Sequence, residues 1–321
     1  MNLFQRPNPG SLSVRSESTS LASVGSVLSS IGITKRKLKK LDAISQAHDP
    51  EYRRRRAFTA RPFVLCGLPV RRPKRHLLEW SRQNGKFRLR AIGHRDYGLP
   101  FGQDRLLLIW IASMATWQKT RVIRFRSAAT ILDTFGLPKD GRYYKRLIGG
   151  FERIFYSTFF FTSDEQNVET VMISRTSFRF VRTLKLWYTR ETVSNQEPDS
   201  VPFENTIVLS EEFWNEIQRH PIPVDLNVVR ALADSPANLD LYIWLVWRRW
   251  TAKAQVNIPV FGPEGLVSRL GNSENPRERD FRRQIALWRQ IARQRWPECA
   301  ATLAESGENL LVQPVRKLSQ T

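Results

Sequence analysis

The chain has 321 residues, with 51 lysines and arginines against 30 aspartates and glutamates, which gives a formal net charge of +21. This length predicts about two domains, and 41% hydrophobic residues with 10 tryptophans exclude a chain that is disordered throughout. The positive charge indicates a polyanionic partner, either DNA, RNA or an anionic membrane surface. It is atypical of an enzyme that acts on small molecules.

Residues with catalytic or metal-binding potential form no recognisable pattern. Cys66 and Cys299 lie far apart in the sequence, which fits a reducing cytoplasm better than a disulfide framework or a zinc site. The four histidines do not pair at metal-ligand spacing, and no phosphate-binding loop occurs. We therefore expect no enzymatic activity, no cofactor and no bound metal. The longest apolar run, Leu106–Trp117, predicts a buried helix because a membrane span needs roughly twenty residues.

Residues 1–90 are predicted to form a Ser-rich and basic N-terminal arm that is largely disordered. The densest of its charge clusters contains Arg53, Arg54, Arg55 and Arg56, and another follows at residues 71–75. Arms of this kind often wrap nucleic acid without reading its sequence. The alternative interpretation is a solvated linker that keeps the protein soluble.

Residues 91–190 are predicted to form a first domain of mixed α and β structure. The apolar pattern indicates a helix to about Gln118, a strand at Val122–Phe125, a helix between Ser127 and Gly136 and a helix at Gly141–Tyr156. A β-hairpin is expected over residues 159–188, where aromatic and β-branched residues alternate with polar ones. Residues 191–205 contain prolines and small polar residues and are predicted to be a linker.

Residues 206–315 are predicted to form a second domain. A strand is expected at Ile207–Leu209, followed by a helix with Ser210 as its N-cap. The elements predicted after it are helices at Leu239–Trp250, Pro263–Leu270 and Pro276–Arg295, a strand at Val256–Pro259, and a hairpin around residues 305–308.

An internal repeat relates the two halves. Ile109-Trp110 recurs as Ile243-Trp244, an offset of 134 residues, and Val122 meets Val256 at the same offset. The apolar residues Leu147, Phe151 and Ile154 have the same i, i+4, i+7 spacing as Phe281, Ile285 and Trp288. A helix, a strand, two helices and a hairpin make a helix-turn-helix with a β-hairpin wing. We therefore predict an α+β protein with two tandem winged-helix domains; the alternative is two unrelated α+β domains.

The long helix near the C-terminus is the predicted reader of DNA, because the second helix of a helix-turn-helix enters the major groove. Arginine can bind a guanine edge or a phosphate, glutamine can address adenine, and a small residue allows close approach. Its outward face is predicted to carry no acidic residue. The predicted contact residues are Arg279, Arg282, Arg283, Ala286, Arg289, Gln290 and Arg293.

The corresponding helix of the first domain is the weaker candidate. Gly149-Gly150 inside a helix costs roughly 1 kcal/mol per glycine relative to alanine, which indicates close approach of the backbone to a phosphate or to another helix. Phosphate contacts and dimer packing both remain open for this helix. Its predicted contact residues are Arg142, Lys145, Arg146 and Arg153.

Two stretches carry a resemblance to a known family. They are FGQDRLLLIWIASMATWQKTRVIRFRSAATILDTFGLPKDGRYYKRLIGGFERIFYSTFFF and the tail from SPANLDLYIWLVWRRW through NPRERDFRRQIALWRQI to ENLLVQP. Together, over residues of about 98 to 314, the chain resembles the plasmid-encoded RepA-type replication initiators of bacteria. Gly149-Gly150 and the basic arm depart from what we expect of that family, which leaves the role of the first domain open.

The resemblance implies a bacterial, cytoplasmic protein that binds repeated double-stranded DNA sites (iterons) at a plasmid origin. It further implies duplex opening, recruitment of host replication proteins such as helicase or initiator, repression of its own promoter with plasmid copy control, and exchange between homodimer and monomer. By analogy, the second domain reads bases while the first contacts backbone and partner subunit. Two alternatives stay open: a winged-helix transcriptional repressor without a replication role, and an RNA-binding protein.

Overall fold

The computed structural model describes residues 56–166, 171–186, 205–262, 265–270, 278–296, 301–304 and 306–314. The helices within these ranges are α1 (Arg61–Cys66), α2 (Asp104–Gln118), α3 (Ala128–Thr134), α4 (Gly141–Tyr156), α5 (Glu211–Arg219), α6 (Leu226–Leu232), α7 (Pro236–Thr251), α8 (Leu266–Leu270) and α9 (Glu278–Arg295). The strands are β1 (Arg56–Ala60), β2 (Glu79–Asn84), β3 (Phe87–Ile92), β4 (Val122–Phe125), β5 (Thr158–Gln166), β6 (Val171–Arg179), β7 (Val181–Lys185), β8 (Asn205–Leu209), β9 (Pro221–Asp225), β10 (Val256–Pro259), β11 (Ala301–Leu303) and β12 (Asn309–Val312). The predicted α+β class is confirmed.

The predicted hairpin of the first half is part of a larger sheet. Strands β5 and β6 pair antiparallel, and β3 and β2 continue the sheet in the order β2-β3-β5-β6. In β2 exposed and buried residues alternate strictly, as expected for a strand with one face against a core. Leu89 of β3 lies opposite Phe161 of β5, and both are buried. The sheet therefore covers one side of the first hydrophobic core.

The structure differs from the sequence prediction at residues 56–90, which the charge pattern predicts to be part of the disordered arm. Ala57, Leu65, Trp80 and Leu89 of this segment are all buried in the first core. Strand β1 pairs antiparallel with β9, more than 150 residues further along the chain, from Arg56 opposite Asp225 to Ala60 opposite Pro221. Charge dominates the local composition here, and only these distant partners make the segment fold. Residues 53–55 lie outside the described ranges.

The predicted boundary between the domains also differs from the structure. Strand β8 pairs with both β4 and β7, so the first residues after the predicted linker complete a sheet of the first half. Phe213 of α5 and Val229 of α6 are buried in the first core as well. The first core therefore extends past residue 206 to the start of α7, because strand pairing across the predicted linker is a long-range interaction that sequence order does not reveal.

Helix α7 is shared between two hydrophobic cores. Its residues Leu239, Tyr242 and Ile243 belong to the first core, whereas Leu241, Trp244 and Leu245 belong to the second. The second core also contains the three-stranded antiparallel sheet of order β10-β12-β11 and the inner face of α9. A helix that is apolar nearly all round can serve two cores at once. This explains why the sequence of α7 shows little amphipathic pattern.

The internal repeat predicted from the sequence has a structural counterpart. Strands β4 and β10 begin at Val122 and Val256, the offset of 134 residues found in the sequence. Trp110 and Trp244 are both completely buried in the helices that precede these strands. The apolar triads of the two long helices, Leu147, Phe151 and Ile154 in α4 and Phe281, Ile285 and Trp288 in α9, are buried as well.

The two halves nevertheless pair their strands differently. In the second half the strand after the central helix, β10, pairs with the second strand of the hairpin, β12. In the first half the corresponding strand, β4, pairs with β8, and the hairpin of β5 and β6 joins β3 instead. The order of elements is thus repeated, but the strand pairing is not: in the first half, β8 pairs with β4 and β3 pairs with β5.

Candidate nucleic-acid interface

Helix α9 packs on the second core through one face and exposes the opposite one. Phe281, Ile285 and Trp288 are buried, and the phenyl ring of Phe281 lies edge-on to the indole of Trp288 at 6.0 Å. Arg279, Arg283, Ala286 and Gln290 are all exposed. The structure therefore places this predicted face outside the core, in solvent.

Two arginines of this face, Arg279 and Arg283, have guanidinium groups that pair with no acidic side chain in the described residues. The acids of the helix, Glu278 and Asp280, lie in its first turn. At 100° per residue they flank Arg279 on either side and do not interrupt the line from Arg279 to Gln290. The prediction of an acid-free face thus holds for its centre, while acids border its N-terminal end.

Other predicted members of α9 lie at the edges of that face. Nη2 of Arg282 lies 3.6 Å from a carboxylate oxygen of Glu308, and its guanidinium lies 5.0 Å from the ring centre of Phe261. Arg289 is half-buried, and its buried Nε has no hydrogen-bond partner in the described part of the chain. The side chain of Arg293 lies outside the described residues.

Sequence reasoning missed two exposed side chains on α9. Gln294 is exposed and follows Arg283 and Gln290 along the same side of the helix, where its amide could hydrogen-bond to a base edge or a phosphate. Leu287 is 48% exposed, an unusual value for leucine, and is adjacent to Ala286. Helical periodicity could have found Gln294, because it lies four residues after Gln290.

The hairpin that follows α9 presents an acid and no described cation at its turn. Glu308 immediately precedes β12, and its side chain is 62% exposed while it approaches Arg282. Gly307 has a positive φ of 71°, which suits glycine and closes the turn. Helix α9, and not this turn, is therefore the element whose charge suits a polyanion.

In the first half, the N-terminal part of α4 presents a second basic surface. Arg142, Lys145 and Arg146 are exposed, and the guanidinium groups of the two arginines lie 5.6 and 5.2 Å from the ring centre of Tyr143. Nη1 of Arg146 also donates a hydrogen bond to Gln103 at 2.7 Å. Asp140 caps the helix by accepting from the backbone N–H of Tyr143 at 2.9 Å. These contacts hold the arginines in place on an exposed helix face.

Arg153, the fourth residue predicted on α4, is engaged inside the protein. Its Nε and Nη2 donate to the two carboxylate oxygens of Asp104 at 2.7 and 2.8 Å, and only 16% of its side chain is exposed. Its guanidinium also covers the ring of Phe101 at 4.7 Å. Such a bidentate pair is geometrically specific. The structure thus gives Arg153 a packing role, and we leave it out of the interface.

The glycine pair of α4 is explained by helix packing. A Cβ at Gly150 would lie 2.8 Å from Asp104 Oδ1 and 2.8 Å from Leu107 Cδ1, both on α2. A Cβ atom almost never has a neighbour under 3.0 Å, so glycine at this position lets α4 approach α2 so closely. Of the two alternatives drawn from the sequence, close approach to another helix accounts for Gly150.

A buried charge cluster joins α2 and α7, the two helices on which α4 and α9 pack. Nε and Nη2 of Arg105 on α2 donate to Asp240 of α7 at 2.7 and 2.9 Å. Arg82 of β2 is buried beside them, and burial lowers its pKa to about 10 although Asp240 opposes the shift. Gly67 has a positive φ of 60°, and a Cβ there would lie 3.0 Å from Asp240 Oδ2. The cluster anchors α2 to α7.

Comparisons with known proteins relate the chain to one family and to distantly similar solved structures. Residues 156–261 match the family described as plasmid encoded RepA protein, so the resemblance found in the sequence is confirmed over this segment. No curated protein matches the chain. A crystal structure of domains 2 and 3 of RctB has a TM-score of 0.47 at 12% identity and covers 70% of this chain and 81% of that chain. A second structure of RctB domains 2–3 has a TM-score of 0.45 at 10% identity, over 80% and 92% of the two chains.

Within the described residues, no helix combines the length and apolar character needed to cross a membrane. No group of three or more metal-ligating side chains is gathered in these ranges.

Proposed function

We propose that the protein initiates plasmid replication by binding repeated double-stranded DNA sites at the origin. The observation that carries this proposal is the match of residues 156–261 to the plasmid encoded RepA family. The net charge of +21 supports a nucleic-acid partner. By the same resemblance, the bound protein helps to open the duplex and recruits host replication proteins such as helicase or initiator.

The second half is proposed to be a winged-helix domain. Its order is α7, β10, α8, α9, β11 and β12, and its sheet has the order β10-β12-β11. A helix-turn-helix of α8 and α9 followed by a hairpin that pairs with the strand before it is the arrangement that defines this fold. The first half is proposed to be a variant in which β8 takes the place of the hairpin strand beside β4.

Helix α9 is proposed to enter the major groove and read bases. Arg279 and Arg283 present free guanidinium groups, which bind guanine bidentately or pair with phosphate. Ala286, one turn further along the same face, allows the helix to approach the base edges closely. The acidic turn of the hairpin supports a mode in which α9 makes the main contact and the hairpin turn stays off the phosphates.

The first half is proposed to contact the DNA backbone. Arg142, Lys145 and Arg146 project from a single helix surface, and arginines held by Tyr143 are suited to position the protein on phosphates. A homodimer contact through the first half is part of the same proposal, as is added non-specific affinity from Arg53, Arg54, Arg55 and Arg56.

The remaining features of the proposal follow from the absence of a catalytic pattern in the sequence and from the family. The protein acts in the bacterial cytoplasm without enzymatic activity or cofactor, as a DNA-binding assembly factor. It also represses its own promoter, which couples plasmid copy number to protein concentration.

A replication assay tests the proposal directly. A plasmid that lacks its own replicon is given this gene and the neighbouring DNA that contains direct repeats, and transformants are selected. We expect autonomous replication that is lost when the repeats are deleted. Purified protein should protect the same repeats from nuclease digestion.

The assay also separates the alternatives. Protection of the repeats and repression of the promoter without replication, at verified expression, would indicate a transcriptional repressor. Binding to an RNA copy of the region in preference to the duplex would contradict both DNA functions.

A further inference from the structure

A cleft on the first half is lined by four cationic side chains that the proposed duplex contacts do not use. It lies between the loop that follows α1 and the loop between β3 and α2, and it is open to solvent. Its cations are Arg72, Lys74, Arg75 and Arg95. The first three belong to the basic cluster at residues 71–75 of the predicted arm, and the structure places them in the lining of this cleft.

The cations of the cleft are not neutralised by the protein. All four are exposed, and none forms an ion pair with an acidic side chain in the described ranges. The acid that lines the cleft is Asp96, whose carboxylate lies 3.6 Å from Nδ1 of His94. Four cations that line one cleft make its potential positive, so the cleft attracts an anion.

Apolar and aromatic side chains form the rest of the lining. They are Pro73, Leu77, Leu99, Phe101 and Tyr97. The ring of Tyr97 stacks on Tyr156 with 4.4 Å between ring centres and 7° between planes, and His94 packs against both rings. This stack holds the tyrosine ring in a fixed position at the mouth of the cleft.

We propose that this cleft binds a nucleotide, with its phosphate among the four cations and its base against Tyr97 and the exposed Leu77. Phosphate requires cations and a base requires an apolar or aromatic surface, and the cleft offers both. A base can lie against the ring of Tyr97 only when it is unstacked from its neighbours, so the nucleotide comes from a single strand or is free in solution. The inference adds a nucleotide site to the proposed function, in which duplex opening would supply the single strand.

Binding of a labelled oligothymidylate of about ten nucleotides, followed by fluorescence anisotropy, tests the strand source. Arg75→Ala with Arg95→Ala should lower its affinity and reduce the salt slope by about 0.7 per lost phosphate contact. Tyr97→Leu should lower affinity about five-fold or more, as the loss of one base stack does. The matched control is Arg88→Ala, an exposed strand arginine outside the cleft, which should bind as the parent does.

A second arm uses a fluorescent nucleoside triphosphate with the same variants. Reduced triphosphate binding with unchanged oligothymidylate binding would assign the cleft to free nucleotides, and the reverse would assign it to a single strand. If the cleft variants fold as judged by thermal melting and neither ligand loses affinity, the inference is overturned.

The outcome is separable from that of the proposed function. Arg283→Ala should weaken duplex binding and leave both nucleotide ligands unaffected. If the protein binds no duplex repeats at all, the proposed function fails while the oligothymidylate result still decides the cleft. Loss of oligothymidylate binding in Arg283→Ala, with none in the cleft variants, would place the strand on α9 and refute the cleft.

Discussion

Arg105 and Asp240 lie 135 residues apart in the chain, yet their side chains form a bidentate pair with distances of 2.7 and 2.9 Å. Only 4% and 7% of these side chains are exposed. Each residue is in the first turns of one of the two repeated central helices, so the pair joins equivalent ends of α2 and α7. One buried carboxylate with two guanidinium neighbours, Arg105 and Arg82, therefore reinforces the apolar contacts through which α7 joins the two halves.

Asp240→Asn should destabilise the protein by about 3–5 kcal/mol, because two buried guanidinium groups lose the anion that compensates them. Urea unfolding followed by tryptophan fluorescence measures the change. The control is Asp133→Asn, which breaks the exposed pair with Lys139 and should cost about 1 kcal/mol or less. Equal losses in the two variants would show that the buried pair does not anchor the halves.

Gly150→Ala should destabilise the protein by about 1–3 kcal/mol, because its Cβ would lie 2.8 Å from atoms of Asp104 and Leu107 and would push α4 away from α2. Its neighbour provides the control. In Gly149→Ala the new Cβ meets only the end of the Arg153 side chain at 3.1 Å, and alanine favours the helix by about 1 kcal/mol. The melting temperature should therefore fall less in Gly149→Ala than in Gly150→Ala, or should rise.

Arg153→Met should lower stability by about 3 kcal/mol, because Asp104 stays buried without its cation. The DNA affinity of the folded protein should be unchanged. Arg142→Ala should show the reverse: an unchanged melting temperature and a salt slope of duplex binding reduced by about 0.9 log units. A drop in DNA affinity without loss of stability in Arg153→Met would return that residue to the interface.

Arg283→Ala should weaken binding to the specific duplex by about 1–3 kcal/mol and relax base preference at one position of the site. Arg219→Ala, an exposed helix arginine on α5, is the matched control and should alter neither property. Titration against the repeats and against a scrambled duplex separates specific from non-specific loss. An equal loss on both duplexes would make Arg283 a phosphate contact rather than a base contact.

Local periodicity was sufficient for much of the fold. The strands at Val122–Phe125 and Val256–Pro259, the helix at Gly141–Tyr156 and the buried triads of α4 and α9 follow from apolar spacing alone. Ser210 caps α5 as predicted, since its hydroxyl accepts from the backbone N–H of Phe213 at 3.2 Å. The outward face of α9 is also a local property, because a helix that buries Phe281, Ile285 and Trp288 must expose the residues opposite.

Other features depend on contacts between residues far apart in the chain, and only the tertiary structure reveals them. The segment at 56–92 is folded because β1 pairs with β9 and β3 pairs with β5. The basic composition of the segment predicts neither pairing. Arg153 looks like its exposed neighbours in the sequence until Asp104 of α2 comes within 2.7 Å.

The role of the net charge of +21 likewise depends partly on composition and partly on tertiary packing. Its sign and size, which indicate a polyanionic partner, are properties of composition. Which arginines remain free to meet that partner is a property of packing, because a guanidinium group that pairs with a buried carboxylate is no longer available for phosphate. The sequence therefore established the repeated plan and the basic character, whereas the packing of α2 against α4 and α7 determined which cations stay at the surface.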